Sequence, residues 1–225
     1  MKESAYITNL LASVNSIIFD LGGVIVNIDY MKTQRAFEKL GLASFKDVYS
    51  QAAQTGVFDL YEKGLIDTSI FREKLRLLAP DFKVCDEDLD SAWNAMILDL
   101  PPHRLDILAK LKSCFRTFLL SNTNDLHIKS FHNQLKQELG EENLNNYFEK
   151  VYYSYKINLR KPDREIFEYV LQENELDAKL TLFIDDTIRH VQSAKAIGIQ
   201  ALHVGTDVTL EELYSSLLGF YRDNV

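Results

Sequence analysis

The chain is short of several things, and each shortage closes a class of function. Only two of its 225 residues are cysteine, Cys85 and Cys114, far apart in sequence and without a CxxC spacing. That excludes a disulfide framework and a structural zinc site, and it suits a reducing cytoplasm. Positive charge is also scarce, with 25 Lys and Arg against 33 Asp and Glu, for a formal net charge of -8. Nucleic acids and anionic membranes are bound by basic fields, so neither is an expected partner. No apolar run is long enough to span a bilayer, and Leu10-Leu11-Ala12, behind Lys2 and Glu3, is too short and too polar in its surroundings for a signal peptide. The expected setting is soluble and cytoplasmic. Of four prolines two are adjacent, Pro101-Pro102, a pair that breaks regular structure.

Hydrophobic residues make up 46% of the chain, enough for a sizeable core. Asn15-Ser16-Ile17-Ile18-Phe19-Asp20 is an uncharged β-branched and aromatic run ending on an aspartate, the pattern of a parallel strand covered on both faces. The residues before Val14 suggest a surface helix. From about Tyr30 to Leu100 apolar residues recur at helical spacing (Ala36, Phe37, Leu40; Phe71, Leu75, Leu78), with Gly41 and Gly64 as helix stops. Beyond the prolines strands and helices alternate. Strands end at Ser121 and Asp185, a third covers Val151-Ser154 before an irregular loop to Arg160-Lys161-Pro162-Asp163, and a last covers Ala201-Val204. This alternation predicts an α/β fold, a doubly wound parallel-sheet (Rossmann-like) core over residues 1–29 and 101–225, with an inserted all-helical cap over 30–100.

In open parallel sheets the reactive crevice lies outside the carboxyl ends of the strands. Asp20, Ser121 and the pair Asp185-Asp186 each follow directly on a predicted strand, so the topology gathers them at one edge. Converging carboxylates repel unless a cation lies between them, and Mg²⁺ with its oxygen ligands is the economical one. Ser121 and Asn122 can hydrogen-bond an anionic oxygen, and Lys161 can neutralise it. That grouping suits phosphoryl transfer, with Asp20 as nucleophile forming an aspartyl-phosphate.

These residues match a family. The chain resembles the haloacid dehalogenase-like superfamily, chiefly its phosphatases with a helical cap inserted after the first motif, including bacterial hexose 1-phosphate phosphatases. The matching segments are Phe19-Asp20-Leu21-Gly22-Gly23-Val24, Leu120-Ser121-Asn122-Thr123-Asn124, Arg160-Lys161-Pro162-Asp163 and Phe183-Ile184-Asp185-Asp186. The resemblance implies that Asp20 is nucleophile and Mg²⁺ ligand, with the Gly22 carbonyl and Asp185 as further ligands. Asp186 would act through a metal-bound water, and Ser121, Asn122 and Lys161 would hold the phosphate of a small phosphorylated metabolite.

One departure bears on the chemistry. Phosphatases of this family usually carry a second aspartate two places after the nucleophile, which protonates the leaving group; here that position is Gly22. Three outcomes follow: an easily departing leaving group such as the anomeric oxygen of a sugar 1-phosphate, a proton from elsewhere, or a weak or inactive protein that uses the fold for binding. Asp29, Glu62, His127 and His190 are the alternative donors. Dehalogenase members place a tyrosine at this position, so Gly22 speaks against C–halogen cleavage.

Overall fold

The structure, a computed structural model, describes residues 2–42, 45, 56–77, 84–205 and 207–224. Its sheet has five parallel strands: β1 (Ser16–Phe19), β2 (Arg116–Ser121), β3 (Lys150–Tyr153), β4 (Thr181–Asp185) and β5 (Gln200–His203), in the order β3-β2-β1-β4-β5. The period-2 alternation of a strand sends neighbouring side chains to opposite faces. Ile17, Phe19, Leu119, Leu182, Ile184 and Leu202 therefore enter one apolar cluster, and Ile18, Phe118, Leu120, Phe183 and Ala201 another. Both faces are dry, which is why these strands read as unbroken apolar runs rather than as alternating ones.

Helices cover each face. On the first lie α1 (Lys2–Ala12), α6 (Pro102–Leu111), α7 (Asp125–Leu139) and α11 (Leu210–Asn224), whose Leu11, Leu108, Phe131 and Leu217 join the cluster of Phe19. On the second lie α9 (Arg164–Glu173) and α10 (Ile188–Ala196), through Phe167, Val170 and Val191. The amino-terminal helix is more than the surface element expected from sequence, because Ile7 and Leu11 are fully buried and α1 packs on α11. The expected loop after β3 also differs, since Ser154–Ile157 forms one helical turn (α8) that ends on Asn158 in the left-handed region, φ 57°.

Between β1 and α6 the described elements are all helical: α2 (Tyr30–Lys39), α3 (Val57–Glu62), α4 (Thr68–Leu77) and α5 (Asp86–Asn94). They gather around an apolar cluster of their own, in which Phe37 stacks on Phe45, Phe58 on Trp93 and Tyr61 on Phe71. Leu78, expected on the α4 stripe, lies outside the described residues. Phe58 and Tyr61 are 1% and 2% exposed inside this cluster. Among the described residues no helix is long and apolar enough to cross a membrane.

Candidate active site

β1, β2 and β4 run side by side, Phe19 pairing with Leu119 on one side and Ile184 on the other. Their carboxyl ends therefore lie level. The Asp20 N–H donates to the Ile184 carbonyl at 2.9 Å, carrying the ladder one residue further and fixing where the carboxylate leaves the sheet. Asp20, Ser121 and Asp185 meet at this edge, all buried, at 7%, 3% and 0% exposure.

Lys161 is the cation among them. It is wholly buried, and its Nζ lies 2.9 Å from Asp20 Oδ1 and 2.6 Å from Asp185 Oδ2, above the Phe183 ring. Burial opposes its charge, but the two carboxylates more than offset that and hold its pKa above the ordinary lysine value. Asn122 sets its place: the Asn122 Nδ2 donates to the Lys161 carbonyl at 2.8 Å, and the Lys161 N–H donates to Asn122 Oδ1 at 2.9 Å. The Asn122 side chain is thus spent on the lysine backbone, a role the sequence did not suggest.

The aspartate pair after β4 divides unequally. Asp185 is enclosed by donors, with Lys161, the Thr187 N–H at 2.7 Å to Oδ1, and His190 Nδ1 at 3.0 Å from Oδ1. Burial alone would raise its pKa, yet Lys161 and His190 hold it well below the carboxylate range. Asp186 accepts from the Thr187 hydroxyl at 3.2 Å, while its backbone carbonyl lies 2.9 Å from His203 Nε2. Burial and then the Asp185 charge push its carboxyl up to about 6. Asp20 is likewise raised, first by burial and then by Asp185 and Asp186, against the pull of Lys161.

Two buried carboxylates and the half-buried Asp186 thus face one ammonium. The surplus negative charge and the all-oxygen donors of Asp20, Asp185 and Asp186 fit a hard divalent ion such as Mg²⁺. Ligand atoms of Asp20, Asp185 and His190 lie within 4.8 Å of one another, but the His190 nitrogen is already directed at Asp185.

The turn after Asp20 is built for close approach. Gly23 has φ 72°, and a Cβ there would sit 2.2 Å from Asp186 Oδ2, so the position requires glycine on two counts. Gly22 differs: its backbone is ordinary, but a Cβ would meet Ile28 Cδ1 at 3.1 Å. An apolar side chain thus occupies the space beside the position of the missing acid. Gly22 and Ser121 also border a cavity of about 70 Å³, lined further by Ile28, Tyr30, Met96 and His127.

Of the alternative proton donors, Asp29 caps α2, its Oδ1 accepting from the Met31 N–H at 2.9 Å. His127 stacks on Trp93 and places Nε2 3.2 Å from the Trp93 carbonyl; burial lowers its pKa to about 4. His190 is committed to Asp185. Glu62, from α3, is 4% exposed beside Arg160. Sequence reasoning missed Arg160, whose guanidinium reaches Asp59 and Glu62 at 2.8 Å each, and Ser154, whose hydroxyl lies 2.7 Å from the Glu62 carbonyl. Arg160 stood inside a quoted motif; Ser154 left no signal.

The sequence profile of the haloacid dehalogenase-like hydrolases matches residues 14–198. A D-ribitol-5-phosphate phosphatase of Bacteroides thetaiotaomicron is 33% identical over 189 residues, covering 83% of this chain and 90% of its own. A sesquiterpene phosphatase of Aspergillus oryzae is 26% identical over 199 residues, covering 83% and 88%. In three dimensions the chain is similar to a HAD family enzyme of B. thetaiotaomicron solved with magnesium and inorganic phosphate, with TM-score 0.82, 32% identity, and 89% and 98% of the two chains covered. A HAD-like hydrolase structure from Porphyromonas gingivalis has TM-score 0.81 at 24% identity and shares the fold. With its five-stranded parallel sheet, four motifs in order and helical insertion after the first, the chain belongs to the haloacid dehalogenase-like hydrolases.

Proposed function

We propose that the chain is a Mg²⁺-dependent phosphoric monoester hydrolase that works through an aspartyl-phosphate on Asp20. The observation that carries this reading is Lys161, a fully buried ammonium held between the Asp20 and Asp185 carboxylates at the carboxyl edge of the sheet. A phosphoryl group entering beside Asp20 meets that charge and the Ser121 hydroxyl. The Asp20 carboxylate attacks phosphorus, the ester oxygen departs, and water then opens the acyl-phosphate. Bound Mg²⁺ would supply positive charge against the phosphoryl oxygens. Asp20, the Gly22 carbonyl and Asp186 are suited to hold it directly. Asp185, whose carboxylate is already enclosed by Lys161, Thr187 and His190, serves to fix the lysine. This exchanges the two aspartate roles expected from the family resemblance.

The substrate in this reading is a small sugar or polyol phosphate in the cytoplasm, met under a helical cap formed by residues 30–100. An anomeric phosphate departs without acid help. A primary-alcohol ester, such as the substrate named for the Bacteroides relative, needs a proton donor other than position 22.

Hydrolysis of p-nitrophenyl phosphate with and without Mg²⁺, by the native chain and by Asp20→Asn, tests the reading. Turnover should require Mg²⁺ and fall by at least about 10³-fold in the variant. Turnover without Mg²⁺, or undiminished in Asp20→Asn, would overturn it.

A further inference from the structure

Gly22 removes the acid from its usual place, and the structure holds a buried carboxyl against the segment that carries Lys161, at Arg160. We propose that Glu62, on cap helix α3, is the general acid and base of the reaction. The proposal rests on the phosphatase reading above.

The first support is position. Glu62 ends α3 where the cap meets both phosphate-holding loops. Its carbonyl lies 2.7 Å from Ser154 Oγ, which also accepts from the Thr123 N–H at 2.9 Å, two residues past Ser121. Its carboxylate meets Arg160, the residue before Lys161, at 2.8 Å. The Glu62 backbone is thereby tied towards the second motif and its side chain to the third.

The second is charge. Lys63 and Arg160 face Asp59, Glu62 and Asp163, two cations against three carboxylates. The side chains of Asp59 and Asp163 are 31% and 45% exposed, that of Glu62 only 6%. A surplus proton belongs on the most buried of the three. Burial, opposed by Arg160, raises Glu62 to about 7, so it can both give and take a proton near neutrality.

The third is an oxygen with an ion-pair neighbour but no hydrogen bond. The Glu62–Arg160 contact is close but lies off the hydrogen-bond axis, leaving buried Oε2 without a hydrogen bond. Such an atom keeps its capacity for a ligand.

The step balances as follows. Asp20 forms a bond to phosphorus while the bond from phosphorus to the ester oxygen breaks. That oxygen keeps the electron pair and takes the Glu62 proton, leaving as a neutral alcohol. Water then attacks phosphorus, its proton passes to the Glu62 carboxylate, and the Asp20–phosphorus bond breaks with the pair returning to Asp20. Enzyme and proton are restored.

The test compares an ester that needs a proton with one that does not. With Mg²⁺ present, kcat/KM is measured for a primary-alcohol polyol phosphate and for p-nitrophenyl phosphate, using the native chain, Glu62→Gln and Asp59→Asn. For Glu62→Gln, kcat/KM on the polyol ester should fall about 100-fold or more. On the aryl ester, whose anion leaves unaided, it should stay within about threefold while kcat drops and a burst of nitrophenol appears, because the second step has lost its base. Asp59→Asn, which loosens Arg160 but spares the donor, should leave the ratio of the two substrates unchanged. An equal fall on both esters in Glu62→Gln, no fall on either, or a ratio altered as much by Asp59→Asn would overturn the proposal, reducing Glu62 to a cap latch. Should Glu62→Gln not fold, Glu62→Asp is read the same way, with a smaller loss confined to the polyol ester. Failure of the native chain to turn over either ester would instead sink the phosphatase reading.

Discussion

Gly23 leaves no room for a side chain beside Asp186. The left-handed turn at Gly23 brings its Cα against the Asp186 carboxylate, and an added methyl would lie 2.2 Å from Oδ2. Gly23→Ala should therefore displace Asp186 as well as strain the turn. A cost of at least about 1 kcal/mol is expected from the backbone alone. The specific consequence is a weaker Mg²⁺ requirement curve, with half-activation moved to at least tenfold higher Mg²⁺, read from initial rates across a metal titration. His127 makes a different statement. Burial holds it at about 4 against an ordinary 6.5, so between those values the unfolded chain binds the proton and the native chain does not. Its contribution to stability is present above about pH 6.5 and is lost as pH falls towards 4, on the order of 3 kcal/mol. Glu62 and Asp186 are raised and titrate in the opposite sense, so the effect is a difference between proteins. Urea unfolding of metal-free native chain and His127→Gln at pH 7 and pH 5 should show the native chain losing more stability on acidification.

At the scale of elements, the helical insertion meets the core at Trp93, which stacks on His127, and along a seam beside the third motif. Arg160 reaches Asp59 and Glu62, Asn158 Nδ2 donates to the Lys63 carbonyl at 2.7 Å, and Lys63 pairs with Asp163 at 3.0 Å. The partly exposed Lys63–Asp163 pair contributes little by itself, whereas the Arg160–Glu62 pair is buried and is joined by close backbone fit. At the centre of the seam Gly64, φ 64°, passes so close to the Tyr155 carbonyl that a Cβ would lie 2.1 Å from the oxygen. Gly64→Ala should therefore part the seam without disturbing Asp20, Lys161 or Asp185. The expected result is a KM raised about tenfold or more for a polyol phosphate, a smaller change for the small anion phosphate as inhibitor, and faster proteolysis within residues 30–100. Equal weakening of substrate and inorganic phosphate would show that the seam does not govern the leaving-group side of the crevice.

For the whole molecule, the acidic balance concentrates where it matters. A net charge of -8 is modest over 225 residues, but Asp20, Asp185 and Asp186 share a buried edge with Lys161 alone between the first two. The metal-free fold carries that repulsion, and Mg²⁺ should relieve it. Saturation to a hundred times the dissociation constant adds about 2.7 kcal/mol, or roughly 5–10 °C in melting temperature for a chain this size. Asp186→Asn should melt higher than the native chain without metal and gain little on adding Mg²⁺. An undiminished Mg²⁺ shift in that variant would place the ion on other ligands.

The sequence by itself determined the parallel sheet and the edge at which the site lies. An unbroken apolar strand followed at once by a carboxylate, hydroxyl or carboxylate pair carries its own placement, because strand ends are local features and parallel strands align them. Asp20, Ser121 and Asp185 were legible for that reason, as was the helical insertion from its periodicity. Tertiary structure decided what each group does once there. That Asn122 grips the Lys161 backbone, that Asp185 is enclosed by Lys161 and His190 while Asp186 faces Gly23, and that Glu62 is buried against Arg160 are contacts between residues 5 to 163 positions apart. No local pattern encodes such pairings. Burial, which sets the charge state of every acid in the crevice, exists only when the cap and the sheet have closed around them.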